Sequence, residues 1–242
     1  MSVLLLRLAG PLQSWGSASR FARRTTEMAP TKSGVLGLLA AAQGRAREAD
    51  LSDLAALRFG VRVDQPGRRL RDFQTAHHPD TGKSMPVSER FYLADAVFVA
   101  GVEGPPTSVH SLLDALRTPV FLPYLGRRSC PPSAPIDLGV REDADLERAL
   151  REVPWQATER HQRRRRATAS GGSVELRLLL ECAPGEQPEL SLRDQPISFD
   201  LRHRRYGLRG LRSTTVLLPP PPEPQPVPPP TDHDPVALLR KA

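Results

Sequence analysis

The chain opens on Ser2–Ala9 (SVLLLRLA), an almost unbroken apolar run in which only Arg7 is polar inside, the pattern of a central strand with one position left wet. Residues 12–31 are mostly polar and read as a long loop carrying Arg20, Arg23 and Arg24. Pro30-Thr31 then precedes KSGVLGLLAAAQG, where Val35, Leu36, Leu38, Leu39 and Ala42 recur at helical spacing and Gly44 falls where a C-terminal cap belongs. Residues 52–58 predict a second, short helix, and residues 59–64 (FGVRVD) alternate as a strand. Residues 70–76 and 91–102 predict further strands, joined by HHPDTGKSMPVSE, a Gly- and Pro-punctuated stretch suited to an excursion from a sheet. Thr107 or Ser108 can cap a helix SVHSLLDALR that stops before Pro119, and a strand is expected between that helix and Pro123.

The resulting order over residues 1–123 is βαββαβ, that of ferredoxin-like and RRM-type α+β folds. Residues 124–218 predict a smaller β-rich region: a loop YLGRRSCPPSAP, a helix near 143–152, a basic run over 159–168 read as a mobile loop, and strands near 174–182, 190–200 and 211–218. Nine of the twelve residues 219–230 are Pro, so residues 219–242 are expected as a flexible tail of extended geometry without a core.

Composition sharpens this. Lys plus Arg is 34 against 27 Asp plus Glu, a net charge of +7 that suits a polyanionic partner. Only Lys32, Lys83 and Lys241 are lysines; the rest are Arg, whose planar fork matches phosphate and stacks on bases. A GC-rich genome would give the same bias. The longest apolar run, residues 35–42, is far short of the ~20 residues of a membrane span, and the apolar start is cut by Arg7 and lacks a basic lead. A cytoplasmic location without membrane contact is the expectation. Cys130 and Cys182 are too few for a disulfide framework or a four-cysteine zinc site.

No cofactor, metal or catalytic set emerges. His77 and His78 are adjacent and would face opposite sides of a strand; His233 lies between Asp232 and Asp234 in the expected tail, without a scaffold. PTKSG lacks the earlier glycine of a phosphate-binding G-x-x-x-x-G-K-[ST] loop, and no G-x-S-x-G occurs. Anion binding has better candidates. Thr31, Lys32 and Ser33 start the strongest helix, where free N–H groups and the dipole attract a phosphate, although Thr31 or Ser33 could simply cap it. Arg127 and Arg128 follow Gly126 in a proline-bounded loop. Arg160 to Arg166 holds five Arg in seven positions, and Arg202 to Arg212 holds five in eleven, interleaved with His203 and Tyr206.

Taken in order, LRLAGPLQSWG, PTKSGVLGLLAAAQG, LRDFQTAHHP, PYLGRRSCPP and RDQPISFDLRHRRYGLR resemble the CasD family, subunits of the type I-E CRISPR surveillance complex Cascade. The resemblance runs from residue 1 to about residue 218 and omits the proline tail. It implies an RRM-like member of the repeat-associated RNA-binding superfamily, a non-catalytic subunit that caps the guide RNA by holding its 5′ handle. It implies a hairpin thumb, placed here at residues 77–92, that packs on the CasC backbone subunit. Its implied partners are the guide RNA, CasC, the large CasA subunit, other Cascade subunits and, through the complex, target DNA. On this resemblance Gln13, Ser14, Trp15, Arg20 and Arg24 line the loop after the first strand, Thr31, Lys32 and Ser33 hold a handle phosphate, and Arg127, Arg128 and Ser129 close the opposite side. Arg202, Arg204 and Arg205 form a further set. Trp15 has a second reading, as a plug in the core. In the related type I-C branch the corresponding subunit cuts repeat RNA with Tyr, Lys and His, and endoribonuclease activity is the alternative. A protein adaptor with incidental charge is a third reading.

Overall fold

In the computed structural model, which describes residues 1–17, 23–200 and 205–220, the apolar opening run forms β1 (Ser2–Ala9). Leu4, Leu6 and Leu8 enter one core and Val3 and Leu5 another, so the run needs no polar alternation. The chain continues through β2 (Leu12–Gln13), β3 (Arg23–Arg24), α1 (Lys32–Ala42), α2 (Ser52–Ala55), β4 (Arg58–Gln65), β5 (Arg68–Gln74), β6 (Ser88–Ala94), β7 (Val97–Gly104) and α3 (Pro106–Arg117). Then come β8 (Asp137–Arg141), α4 (Leu146–Glu152), α5 (Glu159–Thr168), β9 (Val174–Glu181), β10 (Leu190–Ser198) and β11 (Arg205–Leu218). The proline-rich residues 221–242, expected as a flexible tail, lie outside the described residues, as do Arg20, Arg202 and Arg204.

Seven strands form one sheet in the order β10-β11-β9-β4-β7-β1-β8. Its β8-β1-β7-β4 part places the strands fourth, first, third, second with antiparallel neighbours, and α1 and α3 complete the ferredoxin-like βαββαβ unit. The α+β expectation holds, with one strand displaced. Residues 118–123 form no strand: Pro119 and Pro123 bracket them and withhold ladder donors, and Val120, Phe121 and Leu122 stay exposed. The fourth strand is β8, after the Arg127 loop. Beyond β4 the sheet is extended by β9, β11 and β10.

α1 has the ends its sequence announces. Thr31 accepts from Gly34 N, and Gly44 at φ +74° lets its own N–H reach Ala41 O and that of Arg45 reach Ala40 O, both at 2.9 Å, closing a Schellman motif. α3 starts two residues earlier than expected, on Pro106 with Pro105 at the cap, so neither Thr107 nor Ser108 caps it; a proline in the first turn forfeits only an N–H that would be orphaned anyway.

α1 and α3 bury the face of Leu4, Leu6, Phe98 and Val102, while α4 covers the other face with Leu146 and Leu150. Paired Gly60 and Gly101 make room for α4: a Cβ on Gly60 would lie 3.0 Å from Leu150 Cδ1, and one on Gly101 2.8 Å from Leu146 Cδ1. Arg62, wholly buried, grips the Asp64 carboxylate at 2.7 and 2.9 Å and donates to the carbonyls of Leu150, Val153 and Pro154 at the end of α4. The sheet face that RRM domains offer to RNA is therefore occupied.

Residues 91–102, read as one strand, divide into β6 and β7 at Asp95, whose φ of +57° turns the chain into a different sheet. That second sheet runs β2-β6-β3, with β5 pairing β6. β5 and β6 form the excursion, closed toward its tip by a His77–Ser84 bridge. The basic run 159–168 is not a loop but the helix α5, capped by Thr158.

Candidate nucleic-acid interface

The segment after β1 spends its polar groups internally. Gln13 Nε2 donates to Leu8 O at 3.0 Å and Ala96 O at 2.8 Å, and its Oε1 accepts from Trp15 Nε1 at 3.0 Å. Trp15 is 0% exposed and packs on Gly34, where a Cβ would lie 2.8 Å from its ring. Ser14 Oγ donates to Phe91 O at 3.1 Å. The plug reading of Trp15 is the one realised, and Gln13, Ser14 and Trp15 shape the surface from beneath without facing a ligand.

The first turn of α1 is closed as well. Lys32 is 1% exposed; its Nζ donates to Glu181 Oε1 at 2.9 Å and Oε2 at 3.0 Å, and its backbone N–H donates to Asp194 Oδ2 at 2.7 Å. Asp194 is itself gripped by Arg209 at 2.8 and 2.6 Å. The helix terminus does hold an anion, and the anion is the chain's own carboxylate. Burial pushes the Lys32 ammonium below its ordinary pKa, and Glu181 opposes that shift. Thr31 and Ser33 are buried beside it. The expected phosphate seat at Thr31, Lys32 and Ser33 is thus filled by β9 and β10, strands that no local pattern connects to this helix.

The Arg127 loop is open. Gly126 adopts φ +84°, and a Cβ there would fall 1.8 Å from Ser14 O, so only glycine lets the loop seat against the segment after β1. Cys130 N–H to Arg127 O at 2.9 Å and Leu125 N–H to Cys130 O at 2.7 Å close the loop at its base. Arg127 lies over the Tyr92 ring at 4.7 Å, and its Nη2 donates to Arg24 O at 3.0 Å, whereas its Nη1 is buried and lacks a hydrogen-bond partner. Arg128 and Ser129 are exposed. Cys130 beneath them is buried, and burial pushes its thiol above the ordinary value.

β3 and β6 bring more cations to this place. Arg24 pairs with Arg90 across the ladder and Arg68 with Ala94, so by strand alternation Arg24, Arg68, Arg90 and Tyr92 share the face that carries Arg127, with Asp72 as a carboxylate among them. The other face holds Arg23 and Arg69 over Phe91 and Arg71 over Phe73. Arg68 and Arg90 escaped the sequence reading because residues 68–69 and 88–90 fell in connectors.

The remaining candidates are dispersed. Arg205 is exposed on β11, but Arg209 is buried against Asp194 and Arg212 pairs with Glu147 and Glu186. His77 and His78 lie at the hairpin tip, His77 Nδ1 3.2 Å from Gly82 O, while Tyr206 sits on β11 beside Phe199 and Lys32 is held by Glu181. Among the described residues no cluster of three metal-ligating side chains occurs, and no helix is long and apolar enough to cross a membrane.

Comparison with known proteins agrees with this architecture. The family model for CRISPR-associated protein (Cas_Cas5) matches residues 3–212. The chain is 42% identical over 170 residues to the CRISPR system Cascade subunit CasD of Escherichia coli (strain K12), an alignment covering 62% of this chain and 75% of that protein. A crystal structure of a Cas protein superposes with a TM-score of 0.68 at 40% identity, covering 88% of this chain and 94% of the other. A chain of a CRISPR RNA-guided surveillance complex superposes with a TM-score of 0.73 at 38% identity, covering 90% and 91%. The family match takes in the ferredoxin-like unit, the excursion and the Arg127 loop together, and the chain belongs to the CRISPR-associated Cas5 family.

Proposed function

We propose that the chain is a subunit of a Cascade complex that caps the guide RNA by holding its 5′ handle on the surface where Arg127, Arg128 and Ser129 meet Arg24 and Arg90. The observation that carries this reading is the Arg127 guanidinium. Its plane is fixed on Tyr92 and one nitrogen is tied to Arg24 O, yet no described carboxylate pairs with it and Arg128 beside it is exposed, so the positive charge of the loop is left for a phosphate. With the sheet face covered by α4, contact through loops and arginines is also the route the fold leaves open. The names of the relatives, a Cascade subunit and a chain of an RNA-guided surveillance complex, support the same reading.

The β5–β6 hairpin then serves as the thumb. Its exposed Leu70, Phe73, Met85 and Val87 offer apolar contact to a CasC backbone subunit, with CasA and the target DNA met through the assembled complex in the cytoplasm. The subunit acts by binding and does not cut: Lys32 Nζ is committed to Glu181 and the histidines lie toward the tip of the β5–β6 excursion. The test is to purify the full chain from cells that express a CRISPR array and the other subunits, and to sequence the RNA that accompanies it. A class of RNAs with one common 5′ end, lost in Arg127→Gln with Arg128→Gln, is expected. RNA with random ends, or retention by the double variant, would overturn the handle site. Cleavage of repeat RNA by the purified chain would overturn the non-catalytic reading.

A further inference from the structure

α5 is a helix without a single buried residue. Ten residues make a marginal helix in water. Five of these are Arg, and Arg160 stands at i,i+3 and i,i+4 from Arg163 and Arg164, where like charges repel. One side of the helix is what anchors it. Gln162 Nε2 donates to Ala157 O at 2.9 Å and Trp155 O at 3.2 Å. Arg166 lies 5.5 Å over the Trp155 ring and donates to Pro219 O, and Arg165 donates to Glu175 O, both at 3.4 Å.

At 100° per residue, Arg160, Arg163 and Arg164 project away from those anchors, with Ala167 between them leaving the surface unobstructed. All three are exposed, and none of their guanidinium groups has a hydrogen-bond or ion-pair partner among the described residues; Glu159, four residues before Arg163, forms no ion pair with it. The concentration of charge is felt locally: His161 is held below its ordinary pKa by burial and then by Arg164 and Arg165.

A helix that sets three exposed, unpaired arginines within about 6 Å along its axis concentrates positive charge that an anionic partner would neutralise. We propose that the outer face of α5 binds the phosphodiester backbone of a nucleic acid without regard to sequence. Arginine's fork fits phosphate oxygens, and regularly spaced charges suit a polymer better than a single ion. This site shares no residue with the Arg127 loop and does not depend on the handle reading.

The experiment uses the full chain and two probes of arbitrary sequence, a duplex DNA and a single-stranded RNA. Binding is measured against salt for Arg160→Gln, Arg163→Gln, Arg164→Gln combined, and for a control that loses the same charge from exposed Arg47, Arg141 and Arg193. Gln retains helix propensity and nothing buried is disturbed, so circular dichroism stays that of the parent. The α5 variant is expected to bind roughly tenfold or more weakly, its log–log salt slope shallower by about 2.7 on duplex DNA or about 2 on single-stranded RNA, and the probe showing the larger change identifies the ligand. The same loss is expected in an Arg127→Gln, Arg128→Gln background. Losses equal to the control, an unchanged slope on both probes, or disappearance of the effect in that background would each overturn the proposal.

Discussion

At the first turn of α1, a lysine ammonium lies between the two carboxylate oxygens of Glu181 while Asp194 takes the helix N–H; in the loop after Leu125, Arg128 stands in solvent and no described carboxylate pairs with Arg127. Both places pair cations with free donors, and by sequence both were phosphate candidates. The difference between them is distance along the chain. Glu181 and Asp194 lie 149 and 162 residues from Lys32, and the fold delivers them to its door; no described carboxylate is delivered to Arg128. A cation is available to RNA only if the folded chain has not already neutralised it.

Breaking the closed site should act on folding. Asp194→Ala removes the acceptor of Lys32 N–H and both Arg209 bonds and leaves a buried guanidinium uncompensated, so a loss of about 3–5 kcal/mol in urea unfolding is expected. Lys32→Glu, which would look like a test of RNA contact, should likewise lower stability, by setting a carboxylate against Glu181. A stable Lys32→Glu protein that binds RNA poorly would erase the contrast between the two places.

Gly126→Ala should rank next. A positive φ and a Cβ inside Ser14 O displace the open loop, and a cost of about 2 kcal/mol or more is expected, together with loss of handle binding. Unchanged handle affinity at a temperature where the variant is folded would show that the loop's seat does not matter.

Arg127→Gln with Arg128→Gln should do the opposite of Asp194→Ala. Affinity for handle RNA should fall about tenfold and the salt slope by about 1.4, two single-strand contacts, while stability changes by less than about 1 kcal/mol. Equal damage to stability and binding would collapse the distinction.

The smallest effect concerns a half-buried carboxylate away from both places. Glu147 ties α4 to β11 through Arg212 and Arg151, and those hydrogen bonds hold its pKa below the ordinary 4.5. A depressed carboxylate stabilises the fold above the unfolded value and loses that contribution as pH falls through the folded one. Glu147→Gln should therefore lower stability modestly at neutrality, where that contribution is present, and flatten the acid limb below about pH 4.5, where the variant and the parent converge.

Local period was enough for much of the fold. β1 was legible because eight residues with one polar interruption suit a strand buried on both faces, and α1 because its spacing, Thr31 and Gly44 agree. The excursion was legible from its punctuation. α5 was not: it has no apolar period, and its helix exists because Trp155, Glu175 and Pro219 anchor one side, so the run looked like loop. The strand expected at 118–123 failed against its own prolines, and residues 91–102 looked continuous because a turn of two residues leaves little trace in an apolar run.

By itself, then, the sequence determined β1, α1 and most of the other elements, α5 excepted, together with the ferredoxin-like order, the excess of arginine and the family motifs, since these are properties of neighbours in the chain. Tertiary structure decided which cations stay free. Ion pairing follows distance in space, and the carboxylates that silence Lys32 and Arg209, the ring that fixes Arg127 and the backbone that gives Gly126 its necessity all come from other elements. Trp15 shows the same division: the sequence made it a ring beside a glycine-flanked loop, and only the packing of α1 turned it inward.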